Sequence, residues 1–563
     1  MVRTILLVVL VLWPGFVGAD ELVSQAEFAS HAEEKFGEVG RLWQAHEIEK
    51  AVAILEDLAT REELPALSWA WTGTLYNLAC GYALLGRKDE ALLHLKEATE
   101  AGFANIDQLE TDPDLESIRT MPGFLDLVRK LRAFGSLWET PALNTPYRAD
   151  LSWEEKVAGL SKLWSEVKYN FVFFDHVPDV NWDSLYVEYL SKAQQTTSTL
   201  EYYWTLREMT AHLKDGHTTV NLPPELYDET SFRPAIRTRL IEDRVLVVEV
   251  GSEIEASTDS PIRLGLELTR IDGIPVHDYA AQRILPYVRA STPQARDVWA
   301  YDYDLLLGRK GEDCELELKG DRGTTYTVRL TRSVPVMVRP DSEPHLRLLA
   351  GRIAHLTLKS FGDNNVVAGF DSLIASLETS AALILDLRDN GGGNSSVGYA
   401  LLGYLTDRPF STLRSASRDY RPIRRAQGFK EAWQENTPVD WPASGSRHYG
   451  KPVVVLISPR TGSAAEDFCA VFRHMQRGKL IGEPTAGSTG QPLVFGLPGG
   501  GNAMVCTARC TFPDGTEFVG VGIQPDIEAH PTVEDTKTGR DTVLEAALHY
   551  LRQNGAGAKE QIR

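Results

Sequence analysis

The spacing of apolar and polar residues divides the chain into a helical beginning, a β-rich middle and an α/β end. From about residue 24 to 135, and again from 151 to 222, apolar residues recur every three or four positions, which predicts helices. From about 231 to 334 they alternate with polar residues between glycine turns, which predicts antiparallel strands. After His345, short apolar runs alternate with helical patterns, which predicts buried strands joined by helices. This order predicts a multidomain α/β chain.

A strand, a turn and a helix are predicted around Ser463. The β-branched run from Val453 to Ile457 predicts a strand that is buried on both faces, and SAAEDFCAVFRHM predicts a helix that begins at about Ser463. A serine there suits a nucleophile, because the strand fixes its position and the free N–H groups of the first turn favour negative charge. The alternative is a helix cap, since Ser463 and Glu466 also fit the capping-box pattern S-x-x-E.

A second unit of the same kind spans Ala382 to Asn394, with the sequence ALILDLRDNGGGN, and a helix is predicted from about Ser395. Glycines at a strand-to-helix turn let the backbone approach a ligand closely, with its N–H groups pointing outward. An oxyanion hole needs donors of this kind. A plain tight turn is the alternative, and the glycine spacing lacks the pattern of a phosphate-binding loop.

The combination of LDLRDNGGG with SAAE about 70 residues later, and then GEPTAG, resembles the C-terminal-processing (tail-specific) serine peptidases. The resemblance covers roughly residues 150 to 535. It implies a crotonase- or ClpP-like ββα-spiral core in which Ser463 is the nucleophile. It also implies that the oxyanion is held by N–H groups of Gly391, Gly392 and Ala464.

The general base differs from that of much of this family, which has a lysine just after the GEPT-x-G motif. Here the position holds Ser488, and a hydroxyl takes up no proton near neutral pH. The branch that resembles the tricorn protease core uses a histidine instead, which implies His217, after the turn at Asp215 and Gly216. An imidazole with a pKa of about 6.5 transfers protons in both directions near neutrality. That branch also carries a serine directly before its histidine, where this chain has Gly216.

An imidazole base usually needs an acceptor that orients it. The same branch supplies a glutamate shortly before a G-x-x-P-D-I motif, which implies Glu517 in TFPDGTEFVGVGIQPDI, with Asp514 as the alternative. The structural interpretation of these residues is a solvated hairpin, because Pro513-Asp514-Gly515 is a turn signal.

Two further regions resemble known modules. YNLACGYALLGRKDEALLHLKEATEAGF has the small and apolar positions of a tetratricopeptide repeat, a scaffold that docks partner proteins or serves as a spacer. GLELTRIDGIPVHDY and the paired strands after it resemble a PDZ module, which binds peptide C-termini by strand addition. The insertion ASTPQARDVWAYDYDLLLG interrupts this module, and a β lid without a peptide groove is the alternative.

The predicted boundaries are 1–19 for a signal peptide, 20–138 for the repeats, 149–224 for the helical part of the peptidase unit, 231–336 for the PDZ-like domain, 345–535 for the peptidase core and 536–563 for a C-terminal helix and tail.

Composition narrows the partners and the location. The chain of 563 residues is 43% hydrophobic and 24% charged, as in soluble globular proteins. A net charge of −20 argues against nucleic acid and anionic membranes as partners. Residues 1–19 predict a secretory signal peptide, with a retained anchor as the alternative, and no later run approaches the ~20 apolar residues of a membrane span. No zinc pattern is present, and no metal or organic cofactor is implied.

Together these observations predict an exported, periplasmic or secreted serine endopeptidase that acts on unfolded or tail-presented polypeptides through an acyl-enzyme. The alternative is a non-catalytic protein on the same fold that binds peptides or apolar ligands, as the interphotoreceptor retinoid-binding modules do. A third hypothesis is an assembly protein whose helical repeats dock a partner.

Overall fold

The structure is a computed structural model that describes residues 31–32, 35–43, 45–61, 64, 68–137, 141–255, 260–320, 323–336, 343–363, 365–444 and 447–554. The predicted signal peptide at 1–19 and the end of the predicted tail lie outside these ranges. The chain forms two compact units, one ending at residue 140 and the other beginning at Pro141.

The first unit is helical and has its own hydrophobic core. Its helices are α1 (Ile48–Ala59), α2 (Ser68–Leu84), α3 (Lys88–Glu100), α4 (Ile106–Thr111) and α5 (Pro122–Gly135). Leu55, Leu78 and Leu95 are buried at its centre, with the small side chains of Ala79 and Ala98 where helices meet. These helices agree with the helical pattern, while their assignment as tetratricopeptide repeats stays a prediction.

The second unit opens with three helices that lead to a short strand. They are α6 (Trp153–Asn170), α7 (Trp182–Gln195) and α8 (Thr199–Ala211), and the strand is β1 (Thr219–Asn221). Helix α6 starts at a capping box, in which the Ser152 and Glu155 side chains each accept a backbone N–H. A turn of residues 212 to 218 joins α8 to β1, and it contains His217.

A β domain follows, built on an antiparallel sheet with the strand order β3-β4-β5-β7-β8. Its elements are α9 (Tyr227–Thr230), β2 (Phe232–Arg233), β3 (Ile236–Ile241), β4 (Arg244–Val250), α10 (Ser252–Glu255), β5 (Glu267–Ile271), β6 (Ile274–Pro275), α11 (Val276–Arg283), α12 (Pro293–Asp297), β7 (Asp313–Lys319), β8 (Thr325–Thr331) and β9 (Val334–Pro335). Between α11 and β7, residues 285–304 form a 3₁₀ turn, α12 and a π-helical turn. This segment begins five residues before the sequence ASTPQARDVWAYDYDLLLG and overlaps most of it, and from here on we name residues 285–304 the insertion.

The last domain contains a six-stranded sheet with the order β10-β11-β12-β17-β18-β22, in which only the β10–β11 pair is antiparallel. Its elements are β10 (His345–Leu349), β11 (Ile353–Thr357), α13 (Asn365–Thr379), β12 (Ala382–Asp386), α14 (Ser395–Gly403), β13 (Phe410–Ser411), β14 (Arg414–Asp419), α15 (Pro422–Ala426), β15 (Ala432–Asn436), β16 (Asp440–Trp441), β17 (Val453–Ile457), α16 (Ala464–His474), β18 (Lys479–Gly482), β19 (Pro492–Gly496), β20 (Asn502–Cys506), β21 (Arg509–Thr511), β22 (Ile527–Glu528), α17 (Val533–Thr538) and α18 (Thr542–Gln553). The predicted strands β12 and β17 and the predicted helices α14 and α16 are confirmed, and every residue of both strands is buried.

Two general features complete the description. Within the described ranges, no helix combines the length and the apolar character needed to cross a membrane. All five cysteines lie in the described part of the chain, and all five are free thiols.

Candidate active site

The two motifs meet because their strands are parallel neighbours. Strand β12 pairs with β17 in the register Leu383 to Val453, so the carboxyl ends of both strands lie at one edge of the sheet. Their turns are then tied together, since the Thr461 hydroxyl donates to the Leu387 carbonyl oxygen at 2.8 Å and the Gly462 N–H donates to that of Asn390 at 3.1 Å. The glycine-rich turn is thereby held beside Ser463.

Ser463 has a backbone conformation that a residue with a side chain rarely adopts, with φ +54° and ψ −129°. Such a conformation costs about 1–3 kcal/mol and persists only where its surroundings enforce it. Here the Ser463 N–H donates to the Ser488 carbonyl oxygen at 2.9 Å and to Glu466 Oε2 at 3.2 Å. The strain is therefore maintained at the start of α16, where Ser463 Oγ lies 3.0 Å from His217 Nε2.

His217 is brought to this serine by the pairing of β1 with β20. The two strands are antiparallel, with Thr219 opposite Met504, and the Cys506 N–H donates to the Thr218 hydroxyl at 3.1 Å. Burial, together with the charge of Arg289, lowers the pKa of His217 below its usual 6.5, while Asp215 opposes this shift. The imidazole is therefore neutral at neutral pH, the form in which Nε2 accepts a proton.

The second ring nitrogen of His217 contacts Ser488, with Nδ1 and Oγ 2.7 Å apart. For Nε2 to accept from Ser463, Nδ1 must carry the hydrogen and donate it to the Ser488 hydroxyl. A Cβ atom placed on Gly216 would lie 2.5 Å from the same Oγ atom. The Ser488 hydroxyl thus lies where a side chain at position 216 would reach His217.

The prediction that Glu517 orients the imidazole of His217 is wrong, because Glu517 contacts other residues. Glu517 is exposed and lies 3.5 Å from Arg509 and 3.8 Å from His176, and Asp514 accepts the Thr516 N–H at 2.9 Å. Both residues belong to the turn after β21, so the hairpin interpretation of this segment holds. The place of the orienting acceptor is occupied by Ser488.

The predicted oxyanion donors need one correction. The Gly392 N–H already donates to Asn390 Oδ1 at 2.9 Å and is not available to a ligand. In the described part of the chain, the N–H groups of Gly391 and Ala464 have no hydrogen-bond acceptor. Gly392 instead permits close packing, because it has φ +104° and a Cβ there would lie 2.6 Å from Ser463 Cβ.

Glu466 is a completely buried carboxyl group that joins the turn at Ser463 to the GEPTAGST loop. Besides the Ser463 N–H, it accepts the N–H groups of Gly487 at 2.7 Å and Ser488 at 2.9 Å and the Thr485 hydroxyl. Burial raises its pKa to about 8, against the lowering effect of these donors. The glutamate of the S-x-x-E pattern therefore does cap the helix, and it also positions the loop that carries Ser488.

The insertion forms a wall of the site that the sequence did not predict. The Ser291 hydroxyl accepts the Gly216 N–H at 3.1 Å, and the Thr292 hydroxyl donates to the Ala486 carbonyl oxygen at 2.8 Å. A cleft of about 350 Å³ remains, with Ser463, His217, Gly391 and Ser488 among its lining residues on the core side. From the insertion it is lined by Arg289, Ala290, Ser291, Ala295, Val298, Trp299 and Tyr303. The interruption of the β pattern was the only signal for this wall.

In the described ranges, the group of residues with metal-ligand geometry lies outside the cleft. Among the described residues, Cys80, Asp112 and Asp114 have ligand atoms within 4.8 Å of one another, and they lie in the helical unit. The Tyr76 hydroxyl already donates to Asp112 at 2.7 Å, and burial raises the pKa of the Cys80 thiol well above its usual range. A protonated thiol is a poor metal ligand, so this grouping fits a hydrogen-bonded core cluster.

Comparison with known proteins gives concordant similarities. Residues 352–529 match the sequence model of peptidase family S41. The chain is 27% identical over 283 residues to the chloroplastic C-terminal processing peptidase of Tetradesmus obliquus, covering 48% of this chain and 57% of that one. It is 25% identical over 420 residues to a carboxyl-terminal-processing protease of Picosynechococcus sp., covering 71% of this chain and 90% of that one.

These matches differ in how much of each relative they cover. The chain spans little more than half of the Tetradesmus protein, and 41% of carboxyl-terminal-processing peptidase 2 of Arabidopsis thaliana. Among solved structures, mature CPAF aligns with a TM-score of 0.57 at 18% identity, over 72% of this chain and 98% of that one, a likeness of fold. Residues 352–529 of this chain are therefore a peptidase family S41 domain.

Proposed function

We propose that this protein is a serine endopeptidase that cleaves unfolded or tail-presented polypeptides through an acyl-enzyme, with a histidine as the general base. The observation that carries the proposal is the 3.0 Å contact between Ser463 Oγ and His217 Nε2 in a cleft. A hydroxyl is a weak nucleophile unless a base takes its proton, and a neutral imidazole takes it. The match to peptidase family S41 supports the same reaction.

The geometry supports a definite sequence of steps. Ser463 Oγ attacks the substrate carbonyl carbon while His217 Nε2 takes the hydroxyl proton, and the imidazolium is stabilised by donation from Nδ1 to Ser488 Oγ. The N–H groups of Ala464 and Gly391 receive the negative charge on the carbonyl oxygen, next to the positive end of the dipole of α16. His217 then protonates the leaving amine, and a water molecule that it deprotonates releases the acyl group.

Three finer expectations belong to the same proposal. The apolar sequence at 1–19 supports export to the periplasm or the medium. The β domain captures substrate tails in the manner of a PDZ module, and the names of the C-terminal-processing relatives support a preference for chain ends. The helical unit docks a partner protein through its repeats.

The alternative of a non-catalytic binder is less well supported. Three features favour it: the absence of a lysine at 488, the absence of a serine at 216, and Glu517, which lies away from His217. The contact of the Ser488 hydroxyl with His217 gives the first two departures a place in a histidine-based site and supplies the partner that Glu517 does not. A buried imidazole that contacts two hydroxyls is suited to proton transfer and not to binding an apolar ligand.

Replacement of the nucleophile tests the proposal. We expect Ser463→Ala to lower peptide hydrolysis by about 10³-fold or more while peptide binding is retained, because only the attacking atom is lost. A fluorophosphonate probe should label the wild type at Ser463 and leave the variant unlabelled. Turnover and labelling by mass spectrometry are the measurements.

Ser152→Ala is the matched control, because Ser152 is also a helix-capping serine but lies at the start of α6. It should lose about 1 kcal/mol of stability and keep its turnover. Unchanged hydrolysis in Ser463→Ala, or a wild type that neither hydrolyses peptides nor reacts with the probe, would refute the peptidase.

A further inference from the structure

Among the residues that the structure describes, an arginine of the insertion in the wall of the cleft has no ion-pair partner. Arg289 and Arg460 both line the cleft that contains Ser463. Arg460 is neutralised, with Asp389 at 2.6 Å and Asp302 at 3.5 Å. Arg289 has no carboxylate within 4 Å among the residues that the structure describes, and its buried Nε has no hydrogen-bond partner there.

The guanidinium of Arg289 is held in place by an aromatic ring. It lies over Trp299 of the same insertion, 4.5 Å from the ring centroid. This contact stabilises a cation and fixes its plane without using any of its N–H donors. The donors of Arg289 are therefore available to a ligand, and a guanidinium fits a carboxylate with two parallel hydrogen bonds.

The surrounding charges do not replace such a ligand. The negative charges of Asp215 and Asp304 attract Arg289, whereas the positive charge of Arg207 repels it. Asp215 accepts the hydroxyls of Thr218 and Ser291, and Asp304 lies 3.9 Å from Arg207. Burial lowers the pKa of Arg289 to about 10, so it remains charged at neutral pH.

We propose that Arg289 binds a carboxylate of the substrate in the cleft next to Ser463, so that peptides carrying a carboxylate beside the scissile bond are preferred. This inference rests on the proposed peptidase function and deepens it. The carboxylate is either the side chain of an aspartate or glutamate or the free C-terminus of the peptide. A buried cation without a partner is costly, and a substrate carboxylate offsets that cost on binding.

Binding of the substrate carboxylate also acts on the base. Arg289 lowers the pKa of His217, and Asp215 raises it. A carboxylate bound to Arg289 cancels part of its charge and restores the basicity of the imidazole. A carboxylate-bearing substrate is therefore expected to shift the acid limb of kcat, which falls as His217 becomes protonated, to higher pH than a matched neutral substrate does.

The test uses two matched pairs of peptides. The members of the first pair share one sequence and end in a free or an amidated C-terminus. The members of the second pair are both amidated and carry a glutamate or a glutamine next to the cleavage site. Dissociation constants are measured on Ser463→Ala, which requires no turnover, and kcat/KM is measured on the wild type. We expect Arg289→Gln to weaken binding of one carboxylate peptide by about tenfold to a hundredfold and to leave its neutral counterpart nearly unchanged. The carboxylate peptide whose binding is weakened by Arg289→Gln identifies whether the carboxylate is a side chain or the free C-terminus.

The variants carry their own controls. Arg289→Lys keeps the charge but not the paired donors, so it should recover only part of the preference. Arg283→Gln removes an arginine stacked on Tyr279 at 5.1 Å, outside the cleft, and should change nothing. Equal weakening of all four peptides by Arg289→Gln, or no carboxylate preference in Ser463→Ala, would overturn the inference. Absence of turnover in the wild type with the preference intact would instead refute the peptidase function alone.

Discussion

The hydroxyl of Ser488 occupies the space in which a side chain at position 216 would lie, and it contacts His217 from there. A chemical group in an active site can thus come from either of two distant chain positions, provided that it reaches the same point. Judged one position at a time, Gly216 and Ser488 both look like losses of function. Judged as a pair, they supply one hydroxyl to His217.

This pairing predicts strongly non-additive substitutions at positions 216 and 488. Ser488→Gly removes the hydroxyl and should lower kcat by about tenfold to a hundredfold, because the donation from an imidazolium is charge-assisted. Gly216→Ser alone should be worse, since its Cβ would lie 2.5 Å from Ser488 Oγ. The double variant removes the clash and returns a hydroxyl from the other side. Its kcat should therefore exceed that of Gly216→Ser.

The measurement is a double-mutant cycle in kcat, with thermal unfolding as the check that all four proteins fold. Ser488→Ala is a further control that lacks the hydroxyl without adding glycine flexibility. Additive losses in the cycle would show that the two positions do not share one space.

At the scale of elements, the first turn of α16 carries two buried carboxylates with different kinds of partner. Glu466 accepts three backbone N–H groups and one hydroxyl. Within the described part of the chain, the Asp467 side chain accepts hydrogen bonds from hydroxyls alone, those of Ser395 at 2.6 Å and Thr489 at 2.8 Å. A hydroxyl can rotate and accept a hydrogen bond, whereas a backbone N–H cannot.

This difference in partners predicts that two similar substitutions, each of a carboxyl by an amide, lower the free energy of unfolding by unequal amounts. Glu466→Gln turns an amide NH₂ toward fixed N–H donors and should destabilise the protein by about 2–3 kcal/mol. Asp467→Asn faces hydroxyls that can reorient, so it should cost less than about 1 kcal/mol. Denaturant unfolding of the two variants at about pH 9, where both wild-type carboxyl groups are ionised, measures the difference. Equal costs would mean that the fixed N–H donors are not what distinguishes these positions.

The same pair gives a pH dependence. Burial raises the pKa of Glu466 to about 8 and that of Asp467 to about 6. A carboxyl with a raised pKa binds more protons in the folded chain, so its stabilisation is complete below the unfolded pKa and is lost as the pH rises through the folded pKa. The free energy of unfolding of the wild type should therefore fall relative to Glu466→Gln between about pH 5 and 9. A constant difference would contradict the raised pKa.

At the scale of the whole molecule, the two units have separate hydrophobic cores. Leu55 and Leu95 belong to the core of the helical unit, while Leu385 and Val455 belong to that of the peptidase domain. The residues of the candidate site all lie in the second unit. Catalysis on a small substrate therefore has no structural need for the first unit.

We accordingly expect a chain of residues 141–563 to hydrolyse short unstructured peptides at about the rate of the full protein, because a domain with its own core can fold alone. Measuring kcat/KM for a peptide and for a folded protein with a disordered tail separates catalysis from docking. Loss of only the second activity would support partner docking by the helical unit. Loss of both in a soluble, folded chain would contradict the independence of the two units.

The sequence by itself predicted the main strands and helices of the core and the candidate nucleophile. Continuous apolar runs predicted β12 and β17, and their following turns predicted Ser463 and the glycine motif, because burial leaves a local pattern in the chain. The histidine required the resemblance to a family, since one imidazole among 13 carries no local sign of its role.

Only the tertiary structure decided which groups meet. Ser488 reaches His217 across 271 positions because β1 pairs with β20, and Arg289 reaches the cleft because an insertion in the β domain packs on the core. Glu517 fits the expected motif but turns outward with its hairpin. Contacts between residues far apart in the chain depend on strand pairing and packing, and these leave no periodic signal at the positions that they bring together.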